Sequence, residues 1–350
     1  MQARQAMRRT GVMRKGGRLA MALMLVLPAA TAWAGDALTY DNYSRSQQPI
    51  PLAEQGLQTV VAEPWYKVSD QRLQLEGPAF DRAGNLWMVD VFNGRVLKLT
   101  PEHALSTVFE KKGLNPAGLA IHRDGRIFVA GLGDFVDKGE IIAFDPDGRN
   151  EQVIVPASRG MLPDDLEFDA QGGFYFTDFR GTSTQPTGGV YYVAPDLKTI
   201  TPVLPNMAVA NGITLSPDGK TLWTTEFSLN RLHKVALSAP DKIAPFGTSV
   251  PYHFVGGTPD SARTDADGNV YVALYTQGRV LVFNRNGQPI GQILLPLRDQ
   301  GHNLLSTSMT FRPGTNDLYI VTNDGEGGSE GSQIFHAKGF AKGKLEFTFR

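Results

Sequence analysis

Residues 163–179, PDDLEFDAQGGFYFTDF, have the form of two strands joined by a tight turn. A short apolar run precedes the polar turn Asp169-Ala170-Gln171-Gly172, and a run of aromatic and β-branched residues follows it. This pattern predicts a strand, a turn and a second strand. Asp164 and Asp165 stand at the start of the first strand, where an unpaired buried charge is costly. We expect them to meet a cation, solvent or a shared proton.

The same unit occurs six times, with a period of forty-odd residues. Each copy has a polar turn, an apolar strand and one further strand. The turns are Asp81-Arg82-Ala83-Gly84, His122-Arg123-Asp124-Gly125, Asp169-Ala170-Gln171-Gly172, Ser216-Pro217-Asp218-Gly219, Asp265-Ala266-Asp267-Gly268 and the looser Arg312-Pro313-Gly314-Thr315. The strands predicted directly after them are 86–89, 127–130, 174–177, 222–225, 270–273 and 318–321. The next strands are 94–99, 140–144, 189–193, 231–235, 279–283 and 333–336.

This period, with several short strands per unit and no helical periodicity, is typical of propeller blades. We therefore expect an all-β fold, a six-bladed β-propeller with four-stranded blades around a central metal-binding channel. The expected division is an N-terminal segment over 35–72 and the propeller over 73–350. Two segments are candidates for the strand that completes the last blade, residues 345–349 and residues 59–62, and the sequence leaves both open.

The N-terminus has the pattern of a cleaved secretory signal peptide over residues 1–34. Basic residues precede the apolar run 19–27, and Ala32-Trp33-Ala34 is a small-residue cleavage signal, so the mature chain is expected to begin near Gly35. The apolar run is too short to cross a bilayer core of about 30 Å comfortably. We expect an exported protein, periplasmic or secreted, with no membrane span after the signal is removed.

Charge and composition narrow the function classes. The chain has 350 residues, 34 Lys+Arg, 35 Asp+Glu and no cysteine. The near-neutral balance provides no basic face for nucleic acid. Without disulfides, an exported chain depends on a sizeable core, a metal or both.

One position of the repeat carries oxygen ligands in four of the six copies. It lies four residues before the apolar residue that opens each turn. Because the first strand of each blade lines the central channel, equivalent positions form a ring around the axis. The repeat therefore predicts that the side chains at this position converge. The six residues are Glu76, Ala117, Asp164, Asn211, Asp260 and Thr307.

Three carboxylates and an amide oxygen without Cys or His suit a hard cation. Ca²⁺ fits best because it accepts about 6 to 8 oxygens, which leaves room for water or substrate. Mg²⁺ is the second choice, and Zn²⁺ is disfavoured without nitrogen or sulfur ligands. The ion is equally able to pin the blades together or to act in catalysis.

At these residues the chain resembles the SMP-30/gluconolactonase family of six-bladed propellers, and its Drp35-type lactonase branch in particular. The matching segments are Leu75-Glu76-Gly77, Asp164-Asp165, Ala210-Asn211-Gly212 and Pro259-Asp260-Ser261, with residues 174–181, 188–193 and 277–284. The resemblance implies a calcium-dependent lactonase with Glu76, Asp164, Asn211 and Asp260 around one ion, Ser261 beside it and Asp260 in proton transfer. That branch holds a second calcium through an Asp and a Thr, where this chain has Pro156 and Arg159, so a second ion is not expected.

The expected reaction is metal-dependent hydrolysis of a small-molecule lactone, with Asp260 or Asp164 moving the proton. Asp165 is expected to orient its neighbour, and His302 is a candidate proton carrier at the channel mouth. Two alternatives stay open: a sugar-lactone or phosphotriester hydrolase of the same fold, and a non-catalytic exported ligand-binding propeller. The natural substrate and the oligomeric state are not predicted.

Overall fold

The computed structural model describes residues 39–40 and 45–350. The predicted signal peptide over residues 1–34 and its cleavage site lie outside the described residues. Within the described residues, no helix combines the length and the apolar character that a membrane crossing requires.

The structure is all-β, as predicted, with 25 strands and four short 3₁₀ helices in its described part. The 3₁₀ helices are Leu52–Glu54, Ala157–Arg159, Arg298–Gln300 and Phe347–Phe349. Two strands precede the repeats, β1 (Gln58–Val61) and β2 (Glu63–Ser69).

Four separate antiparallel sheets have four strands each, in sequence order. The first two are β3 (Leu75–Phe80), β4 (Leu86–Asp90), β5 (Arg95–Leu99) and β6 (Leu105–Glu110), then β7 (Pro116–Ile121), β8 (Ile127–Gly131), β9 (Glu140–Phe144) and β10 (Gln152–Val155). The next two are β11 (Pro163–Phe168), β12 (Phe174–Asp178), β13 (Gly188–Val193) and β14 (Ile200–Met207), then β15 (Ala210–Leu215), β16 (Thr221–Glu226), β17 (Arg231–Ala239) and β18 (Lys242–His253).

The remaining strands form one nine-stranded sheet that consists of two units. One unit contains β19 (Thr258–Thr264), β20 (Val270–Tyr275), β21 (Arg279–Phe283) and β22 (Pro289–Leu294), with β1 added in parallel to β22. The other contains β23 (Leu305–Phe311), β24 (Asp317–Asn323) and β25 (Ser332–Lys338), with β2 added antiparallel to β25. A single pair, Tyr275 with Leu305, joins the two units.

The predicted turns form as hairpins between the first and second strands. In the third copy, Asp169 Oδ1 accepts hydrogen bonds from the backbone N–H groups of Gln171, at 2.8 Å, and Gly173, at 3.0 Å. Gly172 has a φ of +93°, which an L side chain rarely adopts. The Asp-x-x-Gly pattern thus specifies the turn chemically, and the strand bounds that follow from it agree with the prediction to within a few residues.

The first strands of the successive units touch one another in a closed cycle. β3 contacts β7, and the contacts continue through β11, β15, β19 and β23 back to β3. Apolar clusters fill the space between neighbouring sheets, as where Phe128 of β8 meets Phe168 of β11 and Phe174 of β12. The residues at the start of the first strands are therefore brought close together from distant parts of the sequence.

The last unit is completed from the N-terminal side, as one of the two alternatives held, but by the residues directly after 59–62 and not by 345–349. Residues 345–349 do not form an outer strand, because Phe347–Phe349 is a 3₁₀ helix. Residues 59–62 lie mainly in β1, which pairs with β22 of the preceding unit. The outer strand is β2, directly downstream, which pairs with β25 from Glu63 to Ser69. The start and the end of the described chain are thus joined in one sheet.

Candidate metal and catalytic site

The four predicted oxygen ligands line one pocket. Glu76 lies in β3, Asp164 in β11, Asn211 in β15 and Asp260 in β19, and all four side chains are buried. Ala117 of β7 lines the same pocket. The pocket is concave and combines these polar groups with aromatic side chains, as small-molecule sites do. Residues separated by up to 184 positions therefore face one space, as the repeat register predicted.

A β-bulge occurs at this position in each of the six first strands. The pairing shifts between Glu76 and Ala79 in β3, between Pro163 and Leu166 in β11, and between Pro259 and Ala262 in β19. The other three first strands shift at the equivalent place. Because a bulge bends the strand and re-aims a side chain, it explains how one register position turns out of the sheet and into the pocket.

Glycines after the bulge residue let the first strands approach closely. A Cβ placed on Gly118 would lie 2.3 Å from the backbone oxygen of Asp164, and one on Gly212 would lie 2.6 Å from the backbone oxygen of Asp260. Both distances are shorter than real Cβ contacts. Because glycine has no side chain, the strand with Gly118 can lie close to the backbone of Asp164, and the strand with Gly212 close to the backbone of Asp260.

The carboxylates of the pocket resist ionisation in the metal-free chain. Burial raises the pKa of Glu76 well above its usual range, and Asp260, Asp164 and Asp165 raise it further. Burial, followed by the charges of Asp260 and Asp165, raises the pKa of Asp164. Burial also raises the pKa of Asp260, although the Asn211 amide and the Ser261 N–H oppose the shift. A positive charge in the pocket would reverse this balance.

The donor set fits a hard cation. Asn211 Oδ1 is buried and accepts no hydrogen bond from any described residue, so an oxygen lone pair is left free beside three carboxylates. Oxygen-only ligands of this type are those of Ca²⁺ and Mg²⁺. Across the described residues, no three His, Cys, Asp or Glu side chains already stand in the arrangement of a metal site. The fit therefore rests on the donor chemistry and on the unpartnered Asn211 oxygen.

Asp165 is turned away from the pocket into an ion pair. Its carboxylate accepts hydrogen bonds from Arg263 Nη1, at 2.8 Å, and from the N–H of Ile213, at 3.2 Å. Burial lowers the pKa of the Arg263 guanidinium, but Asp165, with the charges of Glu167 and Glu346, raises it overall. Asp165 thus links three of the first strands, β11, β15 and β19.

Two further predicted residues stand outside the pocket. Ser261 is buried beside Asp260 but is not among the described residues that line the pocket. His302 is also not among the described residues that line the pocket. Its Nδ1 lies 2.9 Å from Asp324 Oδ2, and this contact raises the pKa of His302. The structure brings His302 to a half-exposed ion pair, and not into the acidic pocket.

Other acidic strand ends have structural partners. Asp90 pairs with Arg95, Asp178 pairs with Arg180 at 2.6 Å, and Glu226 Oε2 lies 2.9 Å from His233. Each closes the end of a second strand, and none is among the described residues that line the pocket.

Sequence reasoning missed an aromatic rim around the pocket, formed by Phe92, Phe135, Phe179, Phe227 and Tyr275. The ring centroids of Phe92 and Phe135 lie 6.2 Å apart, and Phe227 lies 6.1 Å from both Phe179 and Tyr275. One signal was available: Phe179 and Phe227 each follow the acidic residue that ends a second strand, at equivalent places in two copies.

The C-terminal segment lies at a second cavity. This cavity is lined by residues three positions after the pocket register, including Glu167 and Arg263, and by residues 344–349. Lys344 forms a buried ion pair with Glu167, and Phe347 stacks on Phe168 with a centroid distance of 5.4 Å. The last residues of the chain thus line this cavity instead of forming a strand.

The loop after β24 contains Gly327-Gly328-Ser329-Glu330-Gly331, which has the spacing of a nucleophile elbow. Ser329 is exposed, and the loop joins strands β24 and β25, whereas an elbow joins a strand to a helix. This serine therefore lacks the context of a hydrolase nucleophile.

Comparison with known proteins identifies the family. The family model described as "SMP-30/Gluconolactonase/LRE-like region" matches residues 75–324. The chain is 52% identical over 318 residues to "Lactonase drp35" of Staphylococcus haemolyticus (strain JCSC1435), which covers 89% of this chain and 98% of that protein. It is also 52% identical over 317 residues to "Lactonase drp35" of Staphylococcus aureus (strain USA300), with 89% and 97% covered.

Solved structures support the same fold. The calcium-binding protein regucalcin from Agrobacterium tumefaciens matches with a TM-score of 0.69 and 19% identity, over 84% of this chain and 99% of that chain. A gluconolactonase from Xanthomonas campestris matches with a TM-score of 0.61 and 21% identity, over 76% and 86%. At 19% and 21% identity, these two matches concern the fold alone. The chain belongs to the SMP-30/gluconolactonase/LRE-like family.

Proposed function

We propose that this chain is a calcium-dependent lactonase whose ion is held by Glu76, Asp164, Asn211 and Asp260. The observation that carries the proposal is their common pocket, in which Asn211 Oδ1 accepts no hydrogen bond from any described residue and lies beside three buried carboxylates. The 52% identity to "Lactonase drp35" over most of both chains supports the lactone as substrate class.

We infer that the sheets form a six-bladed ring with the pocket at one end of its axis. The closed cycle of contacts through β3, β7, β11, β15, β19 and β23 supports six blades. The two units of the nine-stranded sheet then count as separate blades, since one residue pair joins them.

A divalent ion held by these residues supplies Lewis-acid polarisation of the ester carbonyl and makes a water easier to deprotonate. The acidic pocket binds the ion through charge, and Asn211 adds a neutral oxygen. Ser261 is buried directly beside Asp260.

Asp260 is the residue we assign to proton transfer, with Asp164 as the second candidate. The attacking water forms a bond to the carbonyl carbon and loses a proton to the carboxylate, and the bond from that carbon to the ring oxygen breaks. The carboxylate returns the proton to the ring oxygen, and the product is a hydroxy acid. Asp165, paired with Arg263, keeps β11 in register beside β15 and β19 and so orients Asp164.

The aromatic rim favours a lactone with apolar carbons over a polyhydroxylated sugar lactone. Phe92, Phe135, Phe179 and Phe227 present hydrocarbon to the pocket, whereas a sugar ring needs hydrogen-bond partners for each hydroxyl. Tyr275 of the rim, together with Gln74 and Arg72 of the pocket lining, supplies further polar groups. The substrate is therefore proposed as a small lactone that has an aromatic or aliphatic face.

Chelation tests the function. Calcium is removed and its loss verified by elemental analysis, and the protein is assayed on an aliphatic lactone, an aromatic lactone, a sugar lactone and an aryl phosphotriester. We expect turnover of the apolar lactones that disappears on chelation and returns with calcium. Unchanged turnover after verified removal contradicts the proposal, and no turnover of any lactone by the calcium-loaded protein favours a non-catalytic binding protein.

We also propose that the protein is exported to the periplasm or secreted. The proposal rests on the basic, apolar and Ala32-Trp33-Ala34 segments of the N-terminus.

A further inference from the structure

Two threonines stand opposite the bulges that carry Asp164 and Asn211. Thr177 of β12 faces the bulge at Asp164-Asp165, since the pairing passes from Pro163 with Asp178 to Leu166 with Phe176. Thr225 of β16 faces the bulge of β15 in the same way, between the pairs Ala210 with Glu226 and Ile213 with Thr224. Both threonines are fully buried.

Each hydroxyl serves two sheets at once. The hydroxyl of Thr177 accepts a hydrogen bond from the N–H of Asp165, at 3.0 Å, and donates to the carbonyl oxygen of Asn211 in the next sheet, at 2.5 Å. Thr225 repeats the pattern: its hydroxyl accepts from the N–H of Gly212, at 2.7 Å, and donates to the carbonyl oxygen of Asp260, at 2.7 Å.

Each threonine accepts a hydrogen bond from a backbone N–H of the bulge, which has no partner in the regular pairing of the two strands. A buried N–H needs such a partner. That need alone does not account for the donated bond, which reaches a different sheet. In both cases the carbonyl that accepts it belongs to a proposed ligand residue. The two bonds therefore connect the three consecutive first strands that carry Asp164, Asn211 and Asp260.

The bridge between sheets is not common to all six units. Thr322 of β24 stands opposite the bulge of β23, but its hydroxyl donates to the carbonyl oxygens of Asn303, at 3.3 Å, and Asn323, at 3.4 Å. Ala130 lies opposite the bulge of β7, which carries Ala117, and Ala273 lies opposite the bulge of β19. Neither side chain has a hydroxyl. The bulge of a first strand can therefore form without a threonine opposite it. Thr177 and Thr225 are thus not required for the bulge itself.

We propose that Thr177 and Thr225 are positioning residues of the metal site, which fix the backbone of Asn211 and Asp260 so that their side chains face the same point. The inference rests on the proposed metal site. A metal ligand is fixed in orientation by the groups that hydrogen-bond to it or to its backbone, and loss of such a group typically weakens metal binding about 10- to 100-fold. The two threonines act through Asn211 and Asp260 and have no assigned contact with the ion.

Valine at position 225 has the shape of threonine but leaves the Gly212 N–H and the Asp260 carbonyl without their shared partner. Serine keeps the hydroxyl and loses only a methyl group. Thr224 supplies a matched control on the same strand, because it is also fully buried and its hydroxyl has no partner among the described residues. Thr224→Val therefore removes a hydroxyl of the same type without touching a ligand residue.

The test is calorimetric titration of calcium into chelator-treated protein for the wild type, Thr225→Val, Thr225→Ser, Thr224→Val and Thr177→Val. We expect the dissociation constant to rise about tenfold or more for Thr225→Val and Thr177→Val. Thr225→Ser and Thr224→Val are expected to stay within about twofold of the wild type, a difference that corresponds to about 0.4 kcal/mol. Equal calcium affinity of Thr225→Val and the wild type overturns the inference while the metal site stands, and no calcium binding by the wild type overturns the metal site itself.

If a variant is too unstable for calorimetric titration, its free energy of unfolding is measured by urea denaturation with and without calcium. A purely structural role lowers the stability of the metal-free protein and leaves the gain on adding calcium unchanged, which overturns the inference. A positioning role reduces the gain itself, since the gain depends on the affinity of the folded state for the ion. Thr225→Ser must restore that gain.

Discussion

Asp260 is a residue at which activity and stability should move in opposite directions. Its carboxylate is buried, and burial raises its pKa, so its ionised form is unfavourable in the metal-free fold. We predict that Asp260→Asn lowers lactone turnover about 10²- to 10⁴-fold, the range for loss of a proton-transfer group, while the metal-free protein melts at an equal or higher temperature. Steady-state assays and thermal unfolding in chelator measure the two effects.

The matched control is Asp267→Asn in the turn of the same unit, where the side chain is exposed. It removes the same charge from the same sheet and should leave turnover and melting temperature close to those of the wild type. Equal losses of activity in both variants would mean that net charge, and not the pocket, determines the rate.

The acidic pocket also predicts how calcium binding depends on pH. The pKa values of Glu76, Asp164 and Asp260 are raised in the metal-free fold, so the folded chain binds more protons than the unfolded chain above the usual carboxyl pKa. The stability of the metal-free protein should therefore fall as the pH rises from the usual carboxyl pKa to the raised pKa values of the folded chain. Calcium competes with these protons, so its stabilising effect should grow as pH rises.

Thermal unfolding in chelator and in calcium from pH 5 to pH 8 measures both trends. A calcium-induced rise in melting temperature that is independent of pH would show that the ion is held by groups that do not titrate in this range.

The residues of the pocket were accessible to sequence reasoning only where they follow the repeat. Counting back from each turn located Glu76, Asp164, Asn211 and Asp260, which line one pocket. Arg263 was not found, because its partner Asp165 lies 98 positions away and no local pattern links them. The rim was missed for a similar reason: Phe92 and Phe135 lie in loops whose course depends on the sheets they connect.

At the scale of elements, the inner strands were predictable and the closing strand was not. Apolar runs and the polar turns of the repeat are local signals, and they located the second and third strands of every unit. The pairing of β2 with β25 is made by backbone groups some 270 residues apart, with no local signal for the partner. The aromatic residues of 345–349 resemble a strand, but Phe347 instead stacks on Phe168.

The C-terminal segment supplies a prediction at this scale. Lys344 and Glu167 form a buried ion pair beside the second cavity. Lys344→Ala leaves the Glu167 carboxylate buried without its partner, which typically costs about 3 to 5 kcal/mol. We expect urea denaturation to detect a loss of this order.

Lys342→Ala is the control, since Lys342 is exposed two residues earlier in the same segment. It should change the free energy of unfolding by less than about 0.5 kcal/mol. If the two variants are equally stable, the C-terminal segment does not secure the fold through this ion pair.

At the scale of the whole molecule, we propose that the N-terminus directs the protein to export. Export would remove residues 1–34, and the mature chain would keep Glu54, whose buried carboxylate pairs with Arg279 at 2.5 Å, as well as β1 and β2. We predict that N-terminal sequencing of the protein from the native host begins at or near Gly35, and that Ala34→Arg blocks the processing. A mature chain that begins at Met1 would contradict export by a cleaved signal.

The proposed function depends on one cation held jointly by four sheets. Anomalous diffraction from a crystal of the calcium-loaded protein tests this most directly, because it locates the ion and its ligands in one measurement. We expect a single strong peak at bonding distance from oxygens of Glu76, Asp164, Asn211 and Asp260. A protein that hydrolyses lactones while this pocket holds no ion, or holds one bonded to other residues, would contradict it.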